Sequence, residues 1–112
     1  MGASPMSRGS AVLVRFPFSD LSASKRRPAV VLAEAERGDL VLVQVTSKRY
    51  ADTDAVELTE ASFASGGLDR TSYARPGKLF TANDTLIVRE VGVLEAASLR
   101  RLTDAVVSII RG

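Results

Sequence analysis

The chain has 112 residues, 46% of them apolar and 25% charged, and its net charge is +2. That size suits one domain with a core of its own. It has no histidine and no cysteine, which excludes disulfides, thiolate or histidine metal sites and histidine general bases, and favours a cytoplasmic protein.

Residues 1–7 read as a disordered leader or an expression remnant, with Met1 and Met6 as alternative natural starts, and residues 8–112 as the folded domain. Ser10–Phe18 is predicted as a strand, because Val12, Val14 and Phe16 alternate with Leu13, Arg15 and Pro17. Pro17 marks its end or an edge. Ser19–Lys25 is a polar loop. Pro28 holds Arg27 extended, and the apolar run Ala29–Leu32 predicts a buried strand. A turn at Glu36–Asp39 and a third strand at Leu40–Thr46 complete a hairpin.

Arg49–Thr53 reads as a connection and Ala55–Leu58 as a short strand. One helical turn capped by Thr59 follows, broken by Gly66-Gly67. Arg70–Ala74 and Lys78–Thr81 read as two strands interrupted at Pro76-Gly77. Leu86–Val93 reads as a strand or pair of strands, with Gly92 a candidate bulge. The chain closes on an amphipathic helix, Glu95–Arg111, with Leu99, Leu102, Val106 and Ile109 at helical spacing. Phe16, Phe18, Phe63 and Phe80 read as core residues. Short strands followed by one such helix predict a mainly β fold, a small partial barrel with the helix over an open face.

No apolar stretch approaches the roughly 20 residues that span a bilayer. Asp20, Asp39, Asp52 and Asp54 lack a recognisable metal-ligand spacing, and no cofactor is expected. The cations are clustered: Lys25-Arg26-Arg27, Lys48-Arg49, then Arg70, Arg75 and Lys78. On one face they would suit an anionic polymer; apart, they are ordinary solvated surface.

Arg27 precedes the second strand and Thr46 ends the third, so a hairpin brings both to one end. RNA can be cut there without metal if the ribose 2′-OH attacks the adjacent phosphorus. An arginine fork matches phosphoryl oxygens, and a hydroxyl can donate to the crowded transition state. The alternative at these positions is structural: Arg27 fixing the turn beside Pro28, and Thr46 a β-forming residue.

Arg8-Gly9, the strand into Phe16-Pro17-Phe18, the loop ending Arg27-Pro28, the strand ending Val45-Thr46-Ser47 and the final helix together resemble the MazF/PemK-like toxins of type II toxin–antitoxin systems. The resemblance covers nearly the whole chain, from about Arg8 to Arg111. It implies an SH3-like barrel, a homodimer and a metal-independent endoribonuclease. Such an enzyme cuts single-stranded RNA to a 2′,3′-cyclic phosphate, and a cognate antitoxin occludes its groove. The family's catalytic arginine and threonine carry over to Arg27 and Thr46, with Ser47 in an assisting position. Lys25, Arg26, Lys48 and Lys78 are expected to hold RNA phosphates.

The chain departs from the family in three places. Ser10 stands where many members have aspartate, and the loop before Arg27 lacks their glutamate-bearing segment. Gly77-Lys78 stands where many have an acidic or amide pair. Two other functions fit the same fold. A CcdB-like gyrase poison would need a tryptophan near the C-terminus, and the chain has none. A non-catalytic RNA-binding module would need more aromatic platforms than four phenylalanines and two tyrosines supply.

Overall fold

The apolar alternation of the sequence becomes seven strands and one helix in the computed structural model, which describes residues 6–16, 25–49 and 52–112. The strands are β1 (Ser10–Phe16), β2 (Lys25–Glu34), β3 (Asp39–Thr46), β4 (Val56–Leu58), β5 (Phe63–Gly66), β6 (Ser72–Asn83) and β7 (Ile87–Leu94). The helix α1 spans Ala96–Arg111. All strand pairs are antiparallel, in spatial order β4-β6-β3-β2-β1-β7-β5. The sheet bends into a nearly closed barrel, and α1 lies against β4 and β6.

Successive side chains of a strand point to opposite faces, and here both faces are buried. On one face Ala11, Val30, Val43, Val45 and Ala74 pack with Leu102 and Val106 of α1. On the other, Val12, Val14, Ala29, Val31 and Leu42 pack together with Phe16. This double burial explains why Ala29–Leu32 is an unbroken apolar run. Phe16 and Phe80 meet with ring centroids 5.1 Å apart at 55°, a tilted pairing that favours aromatic contact.

The β2–β3 hairpin forms as the sequence predicts, turned by a 3₁₀ segment at Glu36–Gly38 in which Arg37 and Gly38 take positive φ. Thr59 caps a single 3₁₀ turn, Glu60–Ser62, through reciprocal bonds with Ser62. Glu95 precedes the helix as its cap, accepting from the N–H groups of Ala97 and Ser98. In α1 Ser98, Leu102 and Val106 are buried, while Ile109 is exposed.

Three expectations change. The two strands predicted around Pro76-Gly77 are one continuous strand, β6. Its pairing to β3 passes from Val43↔Leu79 to Val45↔Ala74, so Arg75–Lys78 bulge opposite Gln44. A proline has no ladder N–H to lose at a bulge. Phe63–Gly66, where the sequence predicts no strand, is one, paired to β7. Lys25 opens β2 opposite Phe16 rather than closing a loop. The register slip beside Gly92 does form, between Ala11↔Gly92 and Val12↔Glu90. The expectations for residues 1–5, for Pro17 and Phe18, for the Ser19–Ser24 loop and for residues 50 and 51 lie outside the described residues, as does the side chain of Lys25.

Candidate nucleic-acid interface

At the open end of the β2–β3 ladder Ala29 pairs with Gln44. Continuing that register sets Pro28 opposite Val45 and Arg27 opposite Thr46. On its other side β2 pairs with β1, with Val14↔Arg27 and Arg15↔Arg26. Three strand ends therefore converge, and a cleft of about 390 Å³ opens among them.

Arg26, Arg27 and Pro28 line the cleft from β2, and Val45, Thr46, Ser47 and Lys48 line it from β3 and the residues just after it. Leu13 forms its apolar floor, and Leu68, Asp69, Arg70 and Ser72 form the facing wall. Strand alternation gives Arg26 and Pro28 the side of Leu13, and Arg27 and Thr46 the side of Val14. All border the cleft, because it lies where the sheet ends.

Local bonds hold these groups. The Lys48 N–H donates to Thr46 Oγ1 at 3.1 Å. The threonine oxygen thus accepts from the backbone, and its O–H remains able to donate outward. Ser72 is buried, and its hydroxyl donates to the Arg70 carbonyl at 3.0 Å, shaping the wall. The Gly67 N–H donates to the Val91 carbonyl at 2.9 Å, fastening the wall's entry to β7. That approach requires glycine. A Cβ on Gly66 would lie 2.3 Å from the Val91 oxygen, and one on Gly92 would lie 2.7 Å from the Gly67 nitrogen.

The charge around the cleft is uneven: Arg26, Arg27, Lys48 and Arg70 face a single carboxylate, Asp69. None of these four cations, nor Arg15, has a carboxylate partner among the described residues. Like charges directly opposite one another across a strand pair are unfavourable, so Arg15↔Arg26 is a local cost to the fold that a bound anion would relieve. Fork-shaped guanidinium donors, hydroxyls and an ammonium suit a phosphate; they are not cation ligands.

Arg26, Arg27, Thr46, Ser47 and Lys48 thus meet as the sequence suggests. Lys78 does not border the cleft. It lies on the β6 bulge, close enough to Asp52 for its charge to help lower that carboxyl's pKa. Sequence reading missed Leu13, Leu68, Asp69 and Ser72 as site residues, and counted Arg70 only as part of a charge cluster. The polar Asp69-Arg70 pair, one residue beyond Gly66-Gly67, was the available signal.

The sequence matches the family model of the PemK-like, MazF-like toxins of type II toxin–antitoxin systems over residues 7–110. The chain belongs to that family. Solved structures share its fold at low identity. MazE–MazF from Deinococcus radiodurans superposes with a TM-score of 0.76 at 19% identity, covering 97% of this chain and 98% of that one. An endoribonuclease in complex with its cognate antitoxin, from a mycobacterial species, gives 0.72 at 16% identity, covering 99% and 96%. The Mycobacterium tuberculosis toxin MazF-mt6 gives 0.70 at 16% identity, covering 91% and 96%. No curated protein sequence matches the chain. Among the described residues no helix is long and apolar enough to cross a membrane.

Proposed function

We propose that this toxin-family chain is a metal-independent, sequence-selective endoribonuclease that cleaves single-stranded RNA in the cytoplasm and is neutralised by a cognate antitoxin. The observation that carries this reading is the cleft joining Arg27 and Thr46 amid Arg26, Lys48 and Arg70. The family match and structural neighbours solved as an endoribonuclease with its antitoxin and as MazE–MazF support it.

In this mechanism the cationic rim holds the RNA backbone and presents one phosphodiester at the strand ends. The 2′-oxygen attacks the phosphorus as its O–H bond breaks, and the P–O5′ bond then opens, leaving a 2′,3′-cyclic phosphate. The Arg27 guanidinium and the Thr46 hydroxyl donate to the phosphoryl oxygens where negative charge grows. Arginine stays protonated, so Arg27 stabilises charge. The 2′-proton passes to solvent or to a phosphoryl oxygen, and the departing 5′-oxygen is protonated from water.

The test is digestion of single-stranded RNA by the purified protein in EDTA, followed by analysis of both new ends. Cyclic phosphate and 5′-hydroxyl ends are expected, and the Arg27→Ala, Thr46→Ala double variant should produce none. RNA left intact across many sequences, or cutting that survives both changes, would overturn the reading. The chain is also proposed to act as a homodimer. Val107, Ile109 and Ile110 near the end of α1 and Leu79 on β6 leave large apolar side chains exposed, and a Cβ on Gly77 would touch the Ile109 side chain, so these surfaces adjoin. Sedimentation mass checks the stoichiometry.

A further inference from the structure

We infer that the hollow beside the cleft, between Leu13, Leu68, Asp69 and Arg89, reads one guanine of the bound RNA, with Arg89 on the adjoining phosphate. The inference rests on the ribonuclease reading of the cleft and identifies a sequence-determining group for it.

The hollow measures about 150 Å³ and shares Leu13, Leu68 and Asp69 with the cleft, so the two adjoin at those side chains. Across the sheet Leu13 pairs with Pro28 on β2 and with Arg89 on β7. Neighbouring strands stand about 4.8 Å apart, so this row leads from the strand ends to Arg89 in roughly 10 Å. A strand of RNA held at Arg27 and Thr46 can follow it.

The hollow is well below the roughly 300 Å³ at which small-molecule pockets begin. It suits one flat group between the Leu13 and Leu68 side chains. Its wall is fixed, since the close approach of Gly66 and Gly67 to Val91 and Gly92 holds the segment leading to Leu68 and Asp69 against β7.

The two charged groups divide the work. A carboxylate only accepts hydrogen bonds and repels phosphate, so Asp69 faces a base and not the backbone. Asp69 makes no hydrogen bond or ion pair among the described residues, which leaves both oxygens for a ligand. Guanine alone among the four bases offers two adjacent N–H donors, N1 and N2, on its Watson–Crick edge, and in single strands that edge is free. Arg89 is exposed and has no carboxylate partner among the described residues. Its neighbour Glu90 is engaged by the Ser10 hydroxyl at 2.5 Å. Arg89 is therefore available to a phosphate.

The experiment maps cleavage sites on a pool of random single-stranded RNA and, in parallel, measures binding of the same pool at several salt concentrations. The unaltered protein should require guanine at one fixed position near the cut. Asp69→Asn replaces an acceptor with a donor and should lower that guanine preference about tenfold. Arg89→Ala should weaken binding to all sequences alike and reduce the slope of log K against log salt by about 0.7. Arg100→Ala, the same charge loss on the exposed surface of α1, should change neither readout. A cut pattern without guanine, or one that Asp69→Asn leaves unaltered, overturns the inference. Guanine-selective binding that depends on Asp69, without any cutting, supports the subsite and overturns the ribonuclease reading instead.

Discussion

The β6 bulge and the open end of β2 both carry arginines, and they use them in opposite ways. On the bulge, Arg75 holds Asp52 through two parallel bonds of 3.0 and 3.1 Å, tying the connection between β3 and β4 onto β6. Elsewhere, Arg8 donates to the Leu32 carbonyl and to Thr103 Oγ1, joining β2 to α1. At the open end, Arg26 and Arg27 have no such partner among the described residues, and Arg26 stands directly across from Arg15. Arg75 and Arg8 stabilise the fold through protein partners, whereas Arg26 and Arg27, without such partners among the described residues, are left available to an anion. The same side chain serves either purpose, and its neighbours decide which.

The sharpest test of this contrast is at the open end. Arg27→Ala and Thr46→Ala should each lower the rate of RNA cleavage by about a hundredfold or more, while the melting temperature hardly moves, because the Arg27 side chain makes no hydrogen bond or ion pair among the described residues and Thr46 loses only one exposed bond, from the Lys48 N–H. A large loss of stability in Arg27→Ala would erase the distinction between the two regions.

Next in size is Gly66→Ala. The new Cβ meets the Val91 oxygen, and the residue must keep a positive φ of 63°. A destabilisation of about 2 kcal/mol or more is expected from strain of this kind, read by denaturant unfolding. Activity should fall with it, since the Leu68–Arg70 wall is positioned from β7.

A smaller effect belongs to the partnered region. The hydrogen bonds and charge of Arg75, aided by the charge of Lys78, hold the Asp52 carboxyl below its ordinary value. Glu95 is lowered by the Ser98 hydroxyl and the N–H groups of Ala97 and Ser98. In both cases the unfolded chain takes up the proton at higher pH than the folded one. Their contribution is therefore complete above about pH 5 and is lost as pH falls through about 4 and below. Asp52→Asn should cost under about 1 kcal/mol at neutral pH, as partly exposed pairs do. It should also flatten the acid limb of a plot of melting temperature against pH.

The smallest expected change is Arg15→Glu, which converts a cross-strand repulsion into an attraction. It should stabilise the fold by a few tenths of a kcal/mol and yet weaken RNA binding. Opposite signs in the two assays would show that the Arg15–Arg26 pair is kept for a ligand and not for the fold.

The hairpin that brings Arg27 to Thr46 was legible because both strands have the right period and the turn between them is short. Two successive strands on either side of a tight turn have few ways to pair, so their ends can be matched without coordinates. Thr59 was legible as the cap of a helical turn for a similar local reason, whereas Glu95, predicted as the first residue of the helix, is the cap before it. Strand β5 was not, because Phe63–Gly66 has little β-character of its own and becomes a strand only by pairing with β7. The unity of β6 was hidden by Pro76-Gly77, a local break that the ladder to β3 absorbs as a bulge.

By itself, then, the sequence bounded the chemistry: without histidine or cysteine, and with arginines and hydroxyls at the ends of neighbouring strands, it pointed to stabilising negative charge. Only the tertiary structure decided which of its cations act together. It gave Arg75 a carboxylate, set Lys78 away from the cleft, and brought Leu13, Asp69 and Arg70 to Arg27 from distant stretches of chain. Charge and hydrogen-bonding capacity belong to a residue, but whether they are spent on the protein or left for a ligand depends on contacts that long-range strand pairing alone creates.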